Sequence, residues 1–406
     1  MTGNPSSRSD MPPCDVCAAV ISDLQYDARV WKEARSLQQA GYRVSIVGCR
    51  SGIRKTEYGH RLGIQTTEVP LGGRGRHAPV VGRLMTLARA WTAILRTPAR
   101  VYHAHNIHTG PACWLASRLR HASLVYDGHE LYGERDGSGL GYTAIARGSL
   151  ALERFMVRRS DAVITTNDSR AAVLRERHGR QAITVLANFP ELRGASEAPV
   201  DMGFPEDGLV LLYHGGIYAH VRAFRETIGA LRMLPDVHFV IVGFGRESDL
   251  GQIRAWAAEA GVADRVQILP PRPFDELVRI ARSATVGLVP IKPVNLGCYL
   301  GDTNKLFEYL AAGLPVVASD LPEIRRVVTL GDPQVGELFD PDSSESIAAA
   351  IDKVVRDPAY GKRRREAERL SRERFTWSVE EGRLLELYDR LAGDDRHGSA
   401  NLTPRR

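Results

Sequence analysis

The sequence predicts an α/β protein made of two doubly wound, Rossmann-like domains. Short β-branched runs alternate with amphipathic helical segments through both halves of the 406 residues. Such alternation is typical of parallel sheets with right-handed crossovers. A chain of this length is also too long for one ordinary core. Residues 191–207 lack an apolar period and are rich in Pro, Gly and Glu, which is typical of a linker.

Eleven apolar runs predict the strands of the two sheets. Six are expected in the first half, at 16–21, 43–47, 101–104, 124–126, 162–165 and 183–186, and five in the second, at 209–213, 238–242, 266–269, 286–289 and 316–318. We therefore expect an N-terminal domain over 1–190 and a C-terminal domain over 208–376. A terminal helix over 377–392 is expected to pack back on the N-terminal domain, ahead of a disordered tail over 393–406. In such folds ligands bind at the carboxyl ends of the strands, so a central cleft would bring two substrates together.

Composition narrows the class of protein. A hydrophobic content of 43% and a charged content of 25% are ordinary for a globular chain. No apolar run reaches the ~20 residues of a membrane span, and the N-terminus lacks the apolar segment of a signal peptide. A cytoplasmic location is therefore expected. Cys14 and Cys17 lead into the predicted strand at 16–21 and have no partner pair, so we expect buried core residues and not metal ligands.

Charge is distributed unevenly along the chain. Residues 1–200 contain 27 Lys and Arg against 17 Asp and Glu, whereas residues 201–406 contain 27 against 31. Basic residues concentrate between Arg74 and Arg100, where they alternate with the apolar residues of a helical pattern at 80–95. This pattern predicts either a peripheral helix on the inner, anionic face of the plasma membrane or an ordinary surface helix of an arginine-rich chain. Nucleic-acid binding is not expected, because interleaved aromatics and a recognisable module are both missing.

The segment 301–319 carries the strongest functional signal. Asp302 or Thr303 can cap a helix of two or three turns, and Gly313 ends it ahead of a buried strand. A helix entered through small polar residues offers N–H groups and a positive dipole end to a phosphate. Asn304 and Glu308 are four residues apart and share one face. A carboxylate placed there can accept from both hydroxyls of a ribose, so the segment predicts a nucleotide site, with a purely structural helix as the alternative.

This segment resembles the signature of glycosyltransferase family 4, whose members have the GT-B fold, use nucleotide-activated sugars and retain the anomeric configuration. The resemblance is most specific at 304–309 (NKLFEY), 311–313 and 315–319, and extends over roughly residues 15–392. The family spaces two glutamates as Glu-x7-Glu, and Glu308 matches the ribose-binding one. The first glutamate falls on Leu300, so sugar contacts are assigned to Asp302, Thr303 or backbone. Lys305 belongs to the same donor-binding segment.

Other segments of the C-terminal half resemble the family's donor pocket. One glycine pair follows the strand at 209–213, where it would let backbone approach a phosphate, and the other follows the strand at 238–242, where the resemblance implies the pocket wall. The family's diphosphate-binding arginine position is Gly216, so we assign that role to Arg222. A cation is needed there because the chain has no Asp-x-Asp metal motif. Arg272 either stacks on the base or is solvated. The glycines are Gly215, Gly216, Gly243 and Gly245.

In the N-terminal half the resemblance implies an active-site histidine, and His129 matches it. His129 follows the strand at 124–126 and is flanked by Asp127 and Glu130. A second group, His103, His105 and His108, has a spacing that can indicate a metal, but without a clean ligand geometry. We assign the acceptor side of the site to residues of these segments and of the first strand-to-helix turn, 23–29. They are Asp23, Tyr26, His105, Asn106 and Glu130.

The resemblance implies a retaining glycosyltransferase of the hexosyltransferase type. A UDP-sugar donor is favoured over GDP- and TDP-sugars, and the acceptor is a hydroxyl in polysaccharide, glycolipid or natural-product biosynthesis. Neither a metal nor another cofactor is expected. Two alternatives stay open: a non-catalytic subunit that binds a nucleotide sugar, suggested by Leu300, and a sugar-nucleotide 2-epimerase of the same fold.

Overall fold

The computed structural model describes residues 13–72, 80–133, 140–192, 198–204 and 208–394. The chain divides into two compact units. Unit 1 contains the residues up to Ala187 and those from Glu380 onwards, and unit 2 contains Asn188–Val379. Parts of the predicted linker and tail, together with Arg74 and Arg76, lie outside the described residues.

Unit 1 is built on an eight-stranded sheet with the order β3-β4-β2-β1-β5-β6-β7-β8. Only β3 and β4 pair antiparallel among these described neighbours. The strands are β1 (Cys14–Asp23), β2 (Val44–Arg50), β3 (Glu57–Arg61), β4 (Ile64–Pro70), β5 (Ala99–His105), β6 (Ser123–Gly128), β7 (Ala162–Thr165) and β8 (Thr184–Val185). Five helices connect them: α1 (Ala28–Gln39), α2 (Val80–Arg96), α3 (Gly110–Arg120), α4 (Leu140–Arg159) and α5 (Asp168–His178).

Unit 2 is built on a six-stranded parallel sheet with the order β11-β10-β9-β12-β13-β14. Its strands are β9 (Leu209–Ile217), β10 (Val237–Gly245), β11 (Val266–Leu269), β12 (Val286–Val289), β13 (Val316–Ser319) and β14 (Gly336–Phe339). Its helices are α6 (Phe224–Ala230), α7 (Glu247–Glu259), α8 (Leu277–Ala281), α9 (Leu296–Tyr299), α10 (Asn304–Ala311), α11 (Pro322–Val328), α12 (Ser344–Val355) and α13 (Tyr360–Arg374). Short 3-10 helices cover Ala263–Arg265 and Phe274–Glu276.

The last helix, α14 (Trp377–Asp394), begins in unit 2 and belongs to unit 1 from Glu380 onwards. Its apolar face is buried at Leu384, Leu387 and Tyr388. The Glu380 carboxylate accepts a hydrogen bond from the Ala187 amide at 3.1 Å, which fixes the helix to the end of the unit 1 sheet. Among the residues described, no helix combines the length and hydropathy of a membrane span.

The predicted fold class, two doubly wound α/β domains, is confirmed. All eleven predicted strands are present, because continuous β-branched runs suit strands buried on both faces. Strands β3, β4 and β14 were not predicted from the sequence. Strand β3 is mostly exposed and has no apolar run to signal it. Cys14 and Cys17 are free and buried in β1, as expected.

Candidate functional site

Helix α10 organises the candidate nucleotide site of unit 2. It begins at Asn304, directly after Thr303, whose backbone is extended (φ −130°, ψ 136°). Thr303 takes the predicted N-cap position, but its side chain accepts no hydrogen bond from the helix. Because that side chain leaves the first turn uncapped, the helix start retains N–H groups and a positive dipole end that suit a phosphate.

Lys305 lies in the first turn of α10, and its side chain is buried. The ammonium donates to Thr303 Oγ1 at 3.1 Å and lies 4.9 Å from the centroid of the Tyr213 ring. Burial, reinforced by the neighbouring Arg222 guanidinium, lowers the pKa of Lys305 to about 7, while Glu308 opposes the shift. A buried ammonium at this point can bind a multiply charged anion.

Arg222 contacts the hydroxyl of the same tyrosine, Tyr213. Its Nε donates to the Tyr213 hydroxyl at 3.3 Å, and its Nη1 donates to the Val221 carbonyl at 3.1 Å. The Tyr213 hydroxyl in turn donates to the Gly216 carbonyl at 2.5 Å. The structure therefore places both predicted cations, Arg222 and Lys305, beside one aromatic side chain.

Glu308 lies one turn beyond Lys305, at the edge of the buried region. Its carboxylate is 16% exposed, and its Oε2 lies 3.5 Å from Nδ1 of the buried His214. Burial, with Lys305 as a second cause, lowers the pKa of His214 to about 3, so this imidazole is neutral near pH 7. Tyr309 fixes the backbone at His214. Its hydroxyl donates to the Leu212 carbonyl and accepts from the His214 amide. Glu308 is thus accessible to a ligand from a fixed position.

The two glycine pairs lie within strands, and the prediction that they follow them is wrong. Gly215 and Gly216, near the end of β9, pair with Gly243 and Phe244 of β10. A Cβ on Gly243 would lie 1.9 Å from the Gly215 carbonyl oxygen, and Gly215 has a φ of +121°. Glycine is therefore required for the close approach of two strand backbones.

The remaining predicted donor residues surround this group. Arg272 forms an ion pair with Glu276 in its own turn, with Nη2 and Oε2 2.9 Å apart.

Asn304 is exposed, and its Oδ1 accepts from Asn188 Nδ2 at 3.0 Å. Leu300 ends the short helix α9, and Asp302 is partly exposed between α9 and α10. The structure thus groups Lys305, Glu308 and Arg222 and gives Arg272 a local partner.

His129 lies directly after β6 in unit 1 and belongs to a cluster of titratable side chains. Its Nε2 is 2.8 Å from Asp127 Oδ2, and its side chain is 20% exposed, whereas Asp127 is fully buried. The His129 amide donates to Asn106 Oδ1 at 3.3 Å, and its carbonyl accepts from Arg170. Backbone and ring are both held, so the imidazole presents one accessible edge at the carboxyl end of the sheet.

Arg29 supplies the positive charge of the cluster. It contacts Asp127 through two hydrogen bonds of 2.8 and 3.1 Å, and its Nε lies 2.9 Å from Glu33 Oε1. Burial alone would raise the pKa of Asp127, but Arg29 and the neighbouring imidazoles hold it well below its usual range. Burial raises the pKa of Glu33 against the pull of Arg29. Arg29 is predicted in the turn 23–29, but it is the second residue of α1. Asp27 caps this helix by accepting from the Val30 amide.

Two stacked histidines complete the cluster. The rings of His103 and His105 lie 4.3 Å apart, and the Nδ1 of His103 is 2.8 Å from the Tyr388 hydroxyl of α14. Burial, with His103 as a second cause, lowers the pKa of His105 to about 3. His105 Nδ1 lies 3.4 Å from Asp127 Oδ2, which places His105 behind His129 and not in an open acceptor pocket.

Glu33, His103, His105 and Asp127 could in principle hold a metal, since their ligand atoms all lie within 4.8 Å of one another. Two imidazoles and two carboxylates are a ligand set that zinc accepts. However, Arg29 already contacts both carboxylates and neutralises one of them. A divalent ion would add excess positive charge to a fully buried group, which is costly. We therefore interpret the cluster as a buried charge network.

The other predicted acceptor-side residues differ in burial and in their contacts. Asp23 is buried, and its carboxylate accepts from the amides of Gln25 and Ser51 at 3.1 and 3.0 Å, a role in shaping the turn. Tyr26 is 43% exposed, and Glu130 is also exposed. Asn106 has a left-handed backbone (φ +67°) and contacts the His129 amide. Asn106 is therefore joined to the His129 group by a direct hydrogen bond.

Replacing Arg29 by methionine is expected to destabilise unit 1 by about 3–5 kcal/mol, because it leaves the buried Asp127 and Glu33 without a cation. The matched control is Arg43→Met, which removes an arginine that is 58% exposed and paired with Asp15. The control should cost less than about 1 kcal/mol. Urea unfolding followed by circular dichroism measures both changes. Equal losses for the two variants would show that the network adds nothing to stability.

Glu33 and Tyr388 of the buried cluster, and His214 beside Glu308, were not predicted from the sequence. The spacing of Arg29 and Glu33, four residues apart in a helix, is a signal that could have been used. Nothing local links Tyr388 to His103, 285 residues earlier.

The fold and the two groups of polar residues define a two-domain α/β protein with a candidate nucleotide site in its second unit. A family model described as glycosyl transferases group 1 matches residues 208–357, and one described as a glycosyl transferase 4-like domain matches residues 26–188. The chain belongs to glycosyltransferase family 4.

Named relatives and solved structures agree with this placement. The phosphatidyl-myo-inositol mannosyltransferase of Mycolicibacterium smegmatis is 29% identical over 51% of this chain and 52% of its own length. Sucrose-phosphate synthase from Thermosynechococcus elongatus superposes with a TM-score of 0.76 at 18% identity, over 94% of this chain and 100% of that one. HepE of Anabaena, in complex with UDP and glucose, superposes with a TM-score of 0.69 at 14% identity, over 93% and 99%. These similarities show the GT-B fold.

The chain spans about half to three fifths of the length of the curated relatives that it matches, with 52%, 62% and 60% of three of them covered.

Proposed function

We propose that this protein transfers a sugar from a nucleotide diphosphate donor to a hydroxyl acceptor, with retention of the anomeric configuration. The observation that carries the proposal is the grouping of Lys305, Arg222 and Glu308 at the start of α10. Two cations beside an uncapped helix start fit a diphosphate, and a carboxylate one turn further fits a ribose. A UDP-sugar is the favoured donor, and the UDP and glucose bound to HepE support that choice.

The transfer breaks the bond between the anomeric carbon and the diphosphate oxygen and forms a bond from that carbon to the acceptor oxygen on the same face. The acceptor's proton passes to the departing phosphate. Lys305, Arg222 and the α10 start stabilise the charge that develops on the leaving group, and no metal is required for this step in the proposal. His129, held by Asp127, is proposed as the catalytic residue that unit 1 contributes.

The acceptor is proposed to be a hydroxyl of a glycolipid, polysaccharide or natural product. A relative named as a phosphatidyl-myo-inositol mannosyltransferase makes the inositol ring the first candidate. We place the reaction in the cytoplasm, as the sequence analysis expected.

A donor panel tests the proposal. UDP-, GDP- and TDP-sugars would each be incubated with the protein alone, with myo-inositol, with phosphatidylinositol and with other sugar acceptors, and nucleotide diphosphate release would be measured together with product mass. Release that depends on an acceptor supports transfer, and NMR of the product reports its anomeric configuration. Conversion of a donor to an isomer of equal mass without acceptor would indicate the epimerase instead. Tight nucleotide binding without turnover across the panel would indicate the non-catalytic subunit.

Lys305 should make nucleotide binding depend on pH. Its pKa in the free protein is about 7, so it carries its charge below pH 7 and must take up a proton to bind a diphosphate above it. UDP itself is fully ionised above about pH 7. The affinity for UDP should therefore fall above pH 7, by up to about tenfold per pH unit.

Calorimetric titration at a series of pH values measures this dependence, and buffers of different ionisation enthalpy report the proton uptake. Lys305→Met should bind more weakly at pH 6 and lose the dependence. An unchanged pH profile in that variant would remove Lys305 from the diphosphate site.

A further inference from the structure

The outer surface of helices α2, α3 and α4 is unusually apolar. Of the sixteen large apolar side chains that are exposed in the described residues, seven lie on these three helices. On α2 the exposed stripe is Val81, Leu84 and Met85, at 62%, 59% and 47%. The other members of this outer face are Leu115 and Leu119 on α3 and Ile145 and Leu150 on α4.

The same three helices are strongly basic. Together they carry nine arginines and a single carboxylate, Glu153. Glu153 is buried and its Oε2 lies 2.9 Å from the His178 ring, so it offers no charge to the surface. Within the described part of the chain, five of these arginines form no ion pair with a carboxylate while being exposed: Arg83, Arg89, Arg96, Arg147 and Arg154. The outer face therefore combines apolar side chains with uncompensated positive charge.

Neighbouring helices of this face are tied to each other. Arg120 of α3 donates to the Leu95 carbonyl at the end of α2 at 2.7 Å, and Arg118 donates to the Arg159 carbonyl at the end of α4 at 3.2 Å. Trp114 of α3 packs edge-on against Phe155 of α4 with ring centroids 5.1 Å apart. The three helices form one layer, so their exposed side chains can meet a flat partner together.

We propose that this outer face docks unit 1 on an anionic lipid surface. Apolar side chains flanked by arginines are the pattern with which a helix lies in a membrane interface, the apolar groups entering the acyl boundary and the arginines binding lipid phosphates. A second copy of the chain fits poorly, because it would bring two sets of uncompensated arginines together. An anionic bilayer supplies both the apolar phase and the negative charge.

Co-sedimentation of the full chain with vesicles tests the proposal. Binding is expected with phosphatidylcholine vesicles that contain phosphatidylglycerol, to be much weaker with phosphatidylcholine alone, and to weaken as salt is raised. The paired change Arg83→Gln and Arg89→Gln should lower the binding constant by about 25-fold, since each arginine near an anionic surface contributes about fivefold. The paired change Leu84→Asp and Met85→Asp should abolish binding.

Matched controls come from unit 2. Met233 is exposed to the same extent as Met85, at 47%, and Arg365 is an exposed helical arginine. Met233→Asp and Arg365→Gln should leave vesicle binding unchanged. Since the assay contains neither donor nor acceptor, its result is independent of the sugar transfer proposed above. Equal binding by the α2 variants and the controls would overturn the proposal, and so would light scattering that shows a dimer broken by the α2 changes without any vesicle binding.

Discussion

Replacement of Glu308 by alanine is expected to weaken UDP binding by at least about 100-fold. The carboxylate is partly exposed on α10 and lies beside the neutral His214. There it can accept from both ribose hydroxyls, and each hydrogen bond to a charged group contributes about 1.5–3 kcal/mol. Calorimetry with UDP measures the loss directly, and a variant that binds UDP as tightly as the parent chain would remove the ribose assignment.

The role of Glu308 can be separated from a general loss of structure by changing the ligand as well as the protein. 2′-Deoxy-UDP should bind the parent chain more weakly than UDP, whereas Glu308→Ala should bind the two nucleotides about equally, because their shared interaction is already lost. Glu259→Ala, at an exposed carboxylate that ends α7, serves as the control and should bind both as the parent does. A full penalty for the missing hydroxyl in Glu308→Ala would mean that the ribose is recognised elsewhere.

Replacement of His129 by alanine should lower the rate of sugar transfer by about 100- to 1,000-fold and leave UDP affinity unchanged. The expected loss is that of one preorganised group at the reacting centre. Nucleotide affinity should persist because Lys305, Arg222 and Glu308 all belong to unit 2, whereas His129 belongs to unit 1. Initial rates of nucleotide release with the acceptor found in the donor panel, together with calorimetry, measure both quantities.

His60→Ala is the matched control for this variant, because His60 is an exposed histidine on β3 of the same unit. It should transfer sugar at the parent rate. Asp127→Asn adds a second measurement: if Asp127 acts by holding the His129 ring, the double variant should transfer no more slowly than His129→Ala alone. A His129→Ala enzyme with an undiminished rate would show that the imidazole takes no part in catalysis.

The helix of the candidate nucleotide site could be predicted from sequence largely because its signals are local. Residues 302–313 contain a helix start, a lysine, a carboxylate one turn later and a terminating glycine, and the structure forms α10 over Asn304–Ala311. The residues that contact this helix were harder to predict from the sequence. Arg222 was selected from its position after β9, but the way in which it and Lys305 meet at Tyr213 depends on how β9 and α10 pack.

The two glycine pairs have a structural role that their local sequence does not reveal. Both were predicted to follow their strands, the first pair to admit a phosphate and the second to form the pocket wall, whereas β9 and β10 continue through them and pair there. A glycine required by a ligand and one required by a neighbouring strand have the same local sequence. Only the 1.9 Å approach of the Gly215 carbonyl to the Cβ position of Gly243 tells them apart.

By itself, the sequence determined the two parallel-sheet domains, the helix that offers Glu308, and the position of His129 after its strand. These features depend on periodicity and on residues close together in the chain. The tertiary structure alone decided that Arg29, Glu33, His103 and Tyr388 form one buried charge network with Asp127 behind His129. These residues come from α1, β5, β6 and α14, so their shared electrostatics exist only once the sheet and its helices have packed.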